Sequence, residues 1–218
     1  MRILITGSSS GIGLACVRQF LAEGHSVTGF DVKDAAIRHP QYRHYVLDIR
    51  DRASYPDLEP TEILINNAGV QNAEDIDVNL KGTIAVTEHY GIHPGIISVL
   101  MIGSASAHTG SEFPEYAASK GGLLSYTKNV ALRIAAYGAT CNSLDFGGVL
   151  TELNRPVMED PVLWEQVMAE VPLKRWMTAE EAAEWVCFMA VKNRFCTGQN
   201  ILIDGLEAGK ANFIWPEQ

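Results

Sequence analysis

The amino-acid sequence predicts an α/β fold: a doubly wound parallel sheet of about seven strands flanked by helices, in a single domain. Short apolar runs alternate with helical patterns along the chain, as they do in parallel sheets. Residues 96–102 are apolar apart from Ser98, which is typical of a central strand buried on both faces. Polar motifs follow the strands, at the sheet edge where ligands bind in such folds.

The chain opens with a strand, a glycine-rich turn and a helix. Residues 2–6 form a short run with an apolar centre, Ile3-Leu4-Ile5, and a turn of glycines and serines follows it directly. Apolar residues then recur at helical spacing until Gly24. Glycines let the backbone approach a pyrophosphate, and the free amides of a helix N-terminus favour the anion. A tight turn of an ordinary α/β protein is the alternative to a dinucleotide site. The residues of the predicted site are Gly7, Ser9, Ser10, Gly11, Ile12 and Gly13.

The second strand, residues 26–30, ends at Asp31. This carboxylate follows Gly13 at about the spacing at which an acid reaches the ribose hydroxyls of a dinucleotide. It would repel a 2′-phosphate, and the serines of the glycine turn offer no cation to attract one. We therefore expect NAD rather than NADP. The alternative interpretation of Asp31 is an ordinary turn residue at the end of a strand.

The remaining elements continue the alternation. Pro56 and Pro60 leave room for at most a short helix between residues 50 and 61. Thr178 and Glu181 fit a capping box at the start of a late helix. We expect strands at 43–47, 62–66, 96–102, 139–144 and 200–203, and helices at 77–90, 115–137, 161–169 and 178–191.

Composition and charge narrow the possible partners. The chain has 218 residues, 47% of them hydrophobic, and no Pro/Gly/Ser-rich linker divides it, so we expect one domain spanning residues 1–218. The net charge of -9 disfavours a nucleic-acid or anionic-membrane surface and favours a small-molecule partner. The apolar runs are shorter than the roughly 18 residues of a membrane span.

The cysteines and the N-terminus indicate a cytoplasmic protein. The four cysteines are scattered without a CxxC pair, as expected of small buried side chains in a reducing compartment, with disulfides as the lesser alternative. Residues 1–6 resemble a first core strand rather than a signal peptide. His89 and His93 are four residues apart, but no carboxylate cluster matches them, so we expect no metal site.

Tyr116 and Lys120 form a possible proton-transfer pair. Their four-residue offset places a phenol and an ammonium on one helix face. A cation at about 4 Å, in an effective dielectric of about 20, contributes about 4 kcal/mol before desolvation. That is about the shift that a tyrosine needs to act as a base at neutral pH. Because chance alone gives roughly 0.2 such pairs in a chain of this composition, the pair gains weight only from the other motifs.

Taken in order, these motifs resemble the short-chain dehydrogenase/reductase family over essentially the whole chain. The resemblance implies a Rossmann-type fold and an NAD-dependent oxidoreductase that interconverts a secondary alcohol and a ketone. Such proteins often form dimers or tetramers, so a homo-oligomer is expected. The motifs that carry the resemblance are Thr6-Gly7-x3-Gly11-x-Gly13, Asn66-Asn67-Ala68-Gly69, Asn79, Ser104, Tyr116-x3-Lys120 and Thr197-Gly198-Gln199.

Catalytic roles follow from the resemblance, residue by residue. Tyr116 would be the general acid/base, and Ser104 would hold the substrate oxygen. Lys120 would lower the pKa of Tyr116 and bind the nicotinamide ribose. Asn79 would steady a water that links Lys120 to solvent. Taken singly, Asn79 and Ser104 would more often be a helix-surface residue and a turn former.

The resemblance also assigns the remaining cofactor and substrate contacts. His108 is another candidate on the substrate side, although a surface-loop histidine is the favoured interpretation. The pocket should also be bounded by Ala105, Phe113 and residues 153–176, where Trp164 and Trp176 suggest an apolar lid or ordinary helix packing. The implied cofactor contacts are Asp48 and Ile49 at the adenine, Asn67 along the adenosine ribose, Val149 and Thr151 at the carboxamide, and also Ala68, Gly69, Tyr116 and Lys120. The implied substrate contacts are Ser104, Ser106, Tyr116 and Phe146.

The sequence departs from the family pattern in three places. Phe146 stands where the family usually has proline, which should free this loop and place a phenyl wall against the substrate. Residues 32–62 and 70–78 are short, so we expect flanking helices to be reduced or missing. The departures motivate an alternative, an NAD-binding sensor or scaffold with little turnover. Isomerase or dehydratase chemistry in the same fold is a third, weaker possibility.

Overall fold

The computed structural model describes residues 1–111 and 113–209. Seven parallel strands form one sheet in the order β3-β2-β1-β4-β5-β6-β9, and two more form a small parallel pair, β7-β8. No helix in the described part of the chain is long and apolar enough to cross a membrane. The strands are β1 (Arg2–Thr6), β2 (Ser26–Asp31), β3 (Tyr42–Val46), β4 (Ile63–Asn66), β5 (Ser98–Ile102), β6 (Thr140–Phe146), β7 (Val149–Leu150), β8 (Met177–Thr178) and β9 (Asn200–Ile203).

Helices cover both faces of the sheet. The helix predicted at 77–90 begins with a π-helix, and the helix predicted at 178–191 ends with one. The capping box is present, with Thr178 Oγ1 accepting from the Glu181 amide at 3.1 Å. The helices are α1 (Gly11–Ala22), α2 (Thr83–Tyr90), α3 (Ser106–Thr109), α4 (Pro114–Ile134), α5 (Arg155–Met158), α6 (Pro161–Glu170) and α7 (Ala179–Cys187); the π-helices are Ile76–Gly82 and Phe188–Lys192, and the 3-10 turns are Arg52–Ser54, Ala135–Tyr137 and Glu152–Asn154.

The alternation of strand side chains divides the core into two layers. Ile3 and Ile5 of β1 pack in a cluster with α1 and α7, whereas Leu4 between them packs in a cluster with α2 and α4. Both faces are therefore closed, as a parallel sheet requires. The chain builds outward from β1 to β3 and then returns to β4 on the other side of β1. This reversal opens a crevice at the carboxyl ends of β1 and β4, where ligands bind in such sheets.

The predicted reduction of the flanking helices is confirmed. Between β2 and β3 the described chain contains no helix, and only the 3-10 turn Arg52–Ser54 lies between β3 and β4. The small sheet β7-β8 was not predicted, because two-residue strands leave no periodic signal.

The predicted end of the sixth strand was wrong. Leu144 was expected to be its last residue, but β6 continues through Asp145 and Phe146 and pairs Phe146 with Ile203 of β9. Proline in this place would remove a backbone donor and disfavour a strand interior. Phenylalanine imposes no such restriction, so its presence extends the strand instead of freeing a loop.

Candidate functional site

The glycine turn after β1 has the backbone geometry that its sequence predicts. Gly7 and Gly11 have φ angles of 68° and 50°, in the left-handed region that strains other residues. Gly13 is required for a different reason. A Cβ atom there would overlap the carbonyl oxygen of Gly7 and press on the Asn67 amide. The turn and α1 can therefore approach each other only with glycine at position 13.

We expect Gly13→Ala to destabilise the fold by about 2 kcal/mol, because the added methyl group must displace backbone. Urea unfolding monitored by circular dichroism measures the change. Gly121→Ala is the matched control, since nothing lies within 4 Å of a Cβ at that position in α4. Alanine is a better helix former, so the control should be about 0.5–1 kcal/mol more stable than the parent protein. Equal effects of the two substitutions would contradict the packing role of Gly13.

The turn also presents polar groups that suit a phosphate. The Ser9 hydroxyl is buried and has no hydrogen-bond partner among the described residues. Ser10 is the N-cap of α1, yet its side chain makes no capping bond. The first amides of α1 are therefore not capped by this side chain, and amides in that position attract anions. These residues fit the pyrophosphate of a dinucleotide.

Asp31 lies at the end of β2 beside this turn. Its side chain is 9% exposed, and Oδ2 accepts a hydrogen bond from the Ser9 amide at 2.9 Å. Oδ1 accepts from the Lys33 amide, also at 2.9 Å. The carboxylate thus ties the glycine turn to the end of β2, and it is held in one orientation at the predicted ribose position.

Asn67 connects β4 to the same turn. Its Nδ2 donates to the carbonyl oxygens of Thr6 and Gly7, both at 3.0 Å. The amides of Asn67 and Ala68 donate in return to Thr6 Oγ1. The Asn67 side chain, predicted along the ribose, therefore holds the ends of β1 and β4 together.

Asp48 and Ile49, the two residues predicted at the adenine, differ in their surroundings, because Asp48 lies in an ion pair and Ile49 is buried. The Asp48 carboxylate pairs with the Arg50 guanidinium at 2.6 Å, and this hydrogen bonding lowers the pKa of Asp48. Arg50 also pairs with Glu74 at 2.6 Å. Ile49 is 5% exposed and packs against the space left by Gly82.

A side-chain cluster on the edge strand β3 was missed by the sequence reasoning. The Tyr42 hydroxyl donates to Ser8 Oγ at 3.1 Å and lies 3.0 Å from His44 Nδ1. His44 Nε2 lies 2.9 Å from the Lys33 carbonyl oxygen. Gly29 of β2 leaves room for these contacts. Tyr42 and His44 are two residues apart and share a strand face, which was the available signal.

Asn79 lies within the π-helix Ile76–Gly82 and is fully buried. Its Oδ1 accepts from the Val70 amide at 2.8 Å, and its Nδ2 donates to the Val70 carbonyl at 2.9 Å. Nδ2 also lies 3.2 Å from Ser119 Oγ on α4. The amide therefore links the chain after β4 to the helix that carries Tyr116 and Lys120.

Lys120 is 5% exposed and directs its ammonium toward the sheet edge. Nζ donates to the Ile102 carbonyl at the end of β5, at 2.9 Å. It lies 5.7 Å from the centroid of the Tyr116 ring. A Cβ atom at Gly69 would lie 3.3 Å from Asn79 Oδ1 and 3.6 Å from Lys120 Nζ, so these two groups flank Gly69. The structure thus brings three of the predicted catalytic side chains together.

Ser104 lies two residues after the end of β5 and is 8% exposed. The amide and the hydroxyl of Ser106 both donate to Ser104 Oγ, at 3.2 and 2.9 Å. A hydroxyl has two acceptor positions and one donor. The two bonds from Ser106 occupy the acceptor positions, so the Ser104 hydrogen remains for another oxygen.

The prediction that Phe146 forms a phenyl wall against the substrate is wrong. Phe146 is 4% exposed and packs in the core cluster of α1 and α7, because it shares a strand face with Leu144. Val149 also packs in that cluster. Thr151 lies over the glycine turn, with its Cγ2 3.3 Å from the position of a Cβ at Gly11. Of these three residues, Thr151 is the one beside the predicted pyrophosphate site.

A buried carboxylate takes the position next to Phe146. Asp145 is fully buried on the opposite strand face, and its Oδ2 lies 2.6 Å from His108 Nε2. The His108 side chain is 29% exposed and stands on α3. The expected surface-loop histidine is thus a helical residue whose ring reaches inward. The two residues are far apart in sequence, and neither has a periodic signal that would predict the pair.

Two tryptophans of the segment between β7 and β8 pack against each other. Trp164 and Trp176 meet edge to face at 5.0 Å. Trp176 is 8% exposed and occupies the space that a side chain at Gly148 would need. Trp176 therefore packs against the backbone after β6, while Trp164 extends this packing to α6.

His89 and His93, which were considered as a metal-binding pair, each contact a neighbouring residue. The ring of His89 meets that of Tyr90 at 4.4 Å, and His93 Nδ1 accepts from the Gly95 amide at 3.1 Å. In residues 1–111 and 113–209 no group of three or more His, Cys, Asp or Glu side chains is placed to hold a metal ion.

Known proteins resemble this chain along nearly its whole length. The family described as enoyl-(acyl carrier protein) reductase matches residues 7–205. Acetoacetyl-CoA reductase of Rhizobium meliloti (strain 1021) is 31% identical, over 93% of this chain and 96% of that protein. The ligand-free aldohexose dehydrogenase of Thermoplasma acidophilum has a TM-score of 0.87 at 26% identity, over 99% of this chain and 97% of its own. A 4-hydroxyisoleucine dehydrogenase complexed with NADH also has a TM-score of 0.87, at 23% identity, over 96% of this chain and 99% of its own, and supports the fold alone.

Proposed function

The chain belongs to the short-chain dehydrogenase/reductase family, and on this premise we propose that it is an NAD-dependent oxidoreductase interconverting a secondary alcohol and a ketone. One observation carries the proposal. The buried Lys120 ammonium lies 5.7 Å from the Tyr116 ring centroid. It donates to the carbonyl of Ile102 at the end of β5, two residues before Ser104. A phenol, a cation and an oxygen-orienting hydroxyl are the groups that carbinol oxidation needs.

Each of these side chains has a defined task in the proposed reaction. Bound NAD supplies the hydride acceptor for oxidation, or the donor for reduction. Ser104 donates its remaining hydrogen to the substrate oxygen and holds it in place. Tyr116 takes the proton from that oxygen during oxidation and returns it during reduction. Lys120 favours the phenolate form through its charge.

The proton then needs a route to solvent, and we assign Asn79 to it. Asn79 Oδ1 accepts one bond from the Val70 amide and has a second acceptor position. Gly69 lies between this oxygen and Lys120 Nζ, and it has no side chain to fill the space. A water held there would connect the Lys120 ammonium to the exterior.

Asp31 is the residue that supports NAD over NADP. We expect Asp31→Asn to lower the preference for NADH over NADPH by about tenfold or more, because the change removes the charge that repels a 2′-phosphate and keeps the side-chain shape. Fluorescence titration with both cofactors measures the two affinities. Asp34→Asn, at a nearby exposed position, is the matched control and should keep the original preference. An unchanged ratio in Asp31→Asn would contradict the assignment.

The direct test of the function is NADH formation across a panel of secondary alcohols, followed at 340 nm. The proposal expects turnover with at least one member of the panel and ketone as the product. NAD binding without turnover on any alcohol, in a protein that binds NADH normally, would favour the sensor alternative. No contact in the described structure favours that alternative over an enzyme.

A further inference from the structure

The Asp31 carboxylate is held by two backbone amides from different parts of the chain. It accepts from the amides of Ser9 and Lys33, both at 2.9 Å. Ser9 belongs to the glycine turn, whereas Lys33 belongs to the segment that joins β2 to β3. Residues 32–41 contain no helix in the described structure, so no helix of this segment fixes the position of Lys33. The orientation of the carboxylate therefore depends on what holds Ser9 and Lys33 in place.

His44 on the edge strand β3 holds the Lys33 side. Its Nε2 lies 2.9 Å from the Lys33 carbonyl oxygen. A carbonyl only accepts, so Nε2 carries the hydrogen, as it does both in one neutral form of the ring and in the doubly protonated ring. The other nitrogen, Nδ1, lies 3.0 Å from the hydroxyl oxygen of Tyr42, on the same face of β3. In either state of the ring, His44 connects Lys33 to Tyr42.

Tyr42 continues this connection to the glycine turn. Its hydroxyl oxygen lies 3.1 Å from Oγ of Ser8, the residue before Ser9, and either hydroxyl can donate to the other. The contact passes over β2, which lies between β3 and β1 in the sheet. A Cβ atom at Gly29 of β2 would overlap both the Tyr42 hydroxyl and Ser8 Oγ. The connection therefore exists because position 29 has no side chain.

Burial keeps the Tyr42 hydroxyl in its neutral form. Tyr42 is partly buried against the cluster of α1 and α7, and this burial raises its pKa. The Asp31 charge acts in the same direction, and the hydrogen bond with Ser8 acts in the opposite one. The effect of Asp31 places the hydroxyl close to that carboxylate. A neutral phenol can donate and accept at once, and it adds no second negative charge beside Asp31.

Together these contacts form a ring from Asp31 through Lys33, His44 and Tyr42 to the glycine turn and back. We propose that Tyr42 and His44 are positioning residues that hold the Asp31 carboxylate in one orientation and thereby set the preference for NADH over NADPH. A fixed carboxylate repels a 2′-phosphate strongly, whereas one that is free to turn away repels it less. This inference rests on the proposed role of Asp31, and it adds two residues of the edge strand that act through it.

The test measures the affinities for NADH and NADPH by fluorescence titration and takes their ratio. Tyr42→Phe keeps the ring but removes the hydroxyl that joins Ser8 to His44, so the preference for NADH should fall about fivefold, as for the loss of one hydrogen bond. Ser8→Ala removes the other end of this contact and should cause a similar fall. His44→Leu should do the same, whereas His44→Gln retains a donor for the Lys33 carbonyl and should keep more of the preference.

Tyr45→Phe is the matched control. Tyr45 lies on the opposite face of β3, where its ring meets Phe30 edge to face at 5.9 Å. The substitution removes a hydroxyl from the same strand and keeps this ring contact, so the parent ratio should be retained. Thermal unfolding followed by circular dichroism shows which variants fold. If Tyr42→Phe does not fold, Ser8→Ala and His44→Leu decide the question.

A double substitution separates positioning from general damage. In the Asp31→Asn background, adding Tyr42→Phe should leave the ratio unchanged, because the group through which Tyr42 acts has lost its charge. Three results would overturn the inference: an unchanged ratio in Tyr42→Phe, a loss of both affinities by the same factor, or an equal fall of the ratio with and without Asp31.

The titrations use no alcohol, so their outcome is independent of the proposed reaction. A fall in the ratio that depends on Asp31, in a protein that turns over no alcohol of the panel, would support Tyr42 and His44 and contradict the proposed oxidation. A parent protein without a preference for NADH would refute the inference together with the role of Asp31. Alcohol turnover would then still establish the oxidoreductase.

Discussion

Tyr116→Phe is expected to lower kcat for alcohol oxidation by about a thousandfold, within the range of general acid–base contributions. The substitution removes the phenolic oxygen and leaves the ring, which packs 5.7 Å from the Lys120 ammonium. NADH binding should change little, because the glycine turn and Asp31 are elsewhere in the site. Steady-state rates with the best alcohol of the panel, together with NADH titration, measure both effects.

Tyr137→Phe is the matched control for this substitution. Tyr137 lies in the 3-10 turn after α4 and is 40% exposed. The kcat of the Tyr137→Phe variant should stay within about twofold of the parent value, because most surface substitutions have small effects. A Tyr116→Phe variant that kept most of its turnover would require a different proton acceptor.

Lys120→Met is expected to lower kcat/KM at pH 7 by about a hundredfold and to move the pH profile upward. A unit charge about 6 Å away, in an effective dielectric of about 20, contributes about 3 kcal/mol, which corresponds to about a hundredfold in an equilibrium constant. Oxidation needs the phenolate, and a nearby cation favours that form. Without the cation the phenolate forms at higher pH, so the rising limb of the oxidation profile shifts to higher pH.

Methionine has a similar length and suits the buried position, which limits structural damage. Lys128→Met, at an exposed position of the same helix, removes an equal charge at a distance and should leave the profile in place. A Lys120→Met enzyme with lower rates but an unshifted profile would mean that the lysine acts on binding alone. The profile therefore distinguishes an electrostatic role from a positional one.

Much of the fold followed from local patterns. The glycines after β1 and the apolar run of β5 are local signals, and the structure has the expected turn at the first and a buried strand at the second. The capping box at Thr178 is equally local, because both of its hydrogen bonds are made within one turn. Reduced flanks were predictable because residues 32–62 are too few for the usual helices.

The rest depended on contacts between distant residues. Phe146 was placed in the substrate wall because its position in a loop was assumed, whereas pairing with Ile203 draws it into the strand and the core. His108 meets Asp145 across 37 residues, so its inward direction cannot be inferred from its neighbours. The contact between Tyr42 on β3 and Ser8 after β1 likewise joins distant residues, because it spans the strand β2 between them.

The π-helix at Ile76–Gly82 has a consequence for how this site tolerates changes in length. Each residue of an α-helix turns the chain by about 100°. Deleting one residue within the π segment would let it relax to α geometry, and Asn79 would then rotate away from Val70 and Ser119 while the core of α2 kept its packing. The number of residues in this segment therefore determines where the Asn79 side chain lies in the site. Insertions and deletions here should be more harmful than in the loops around the sheet.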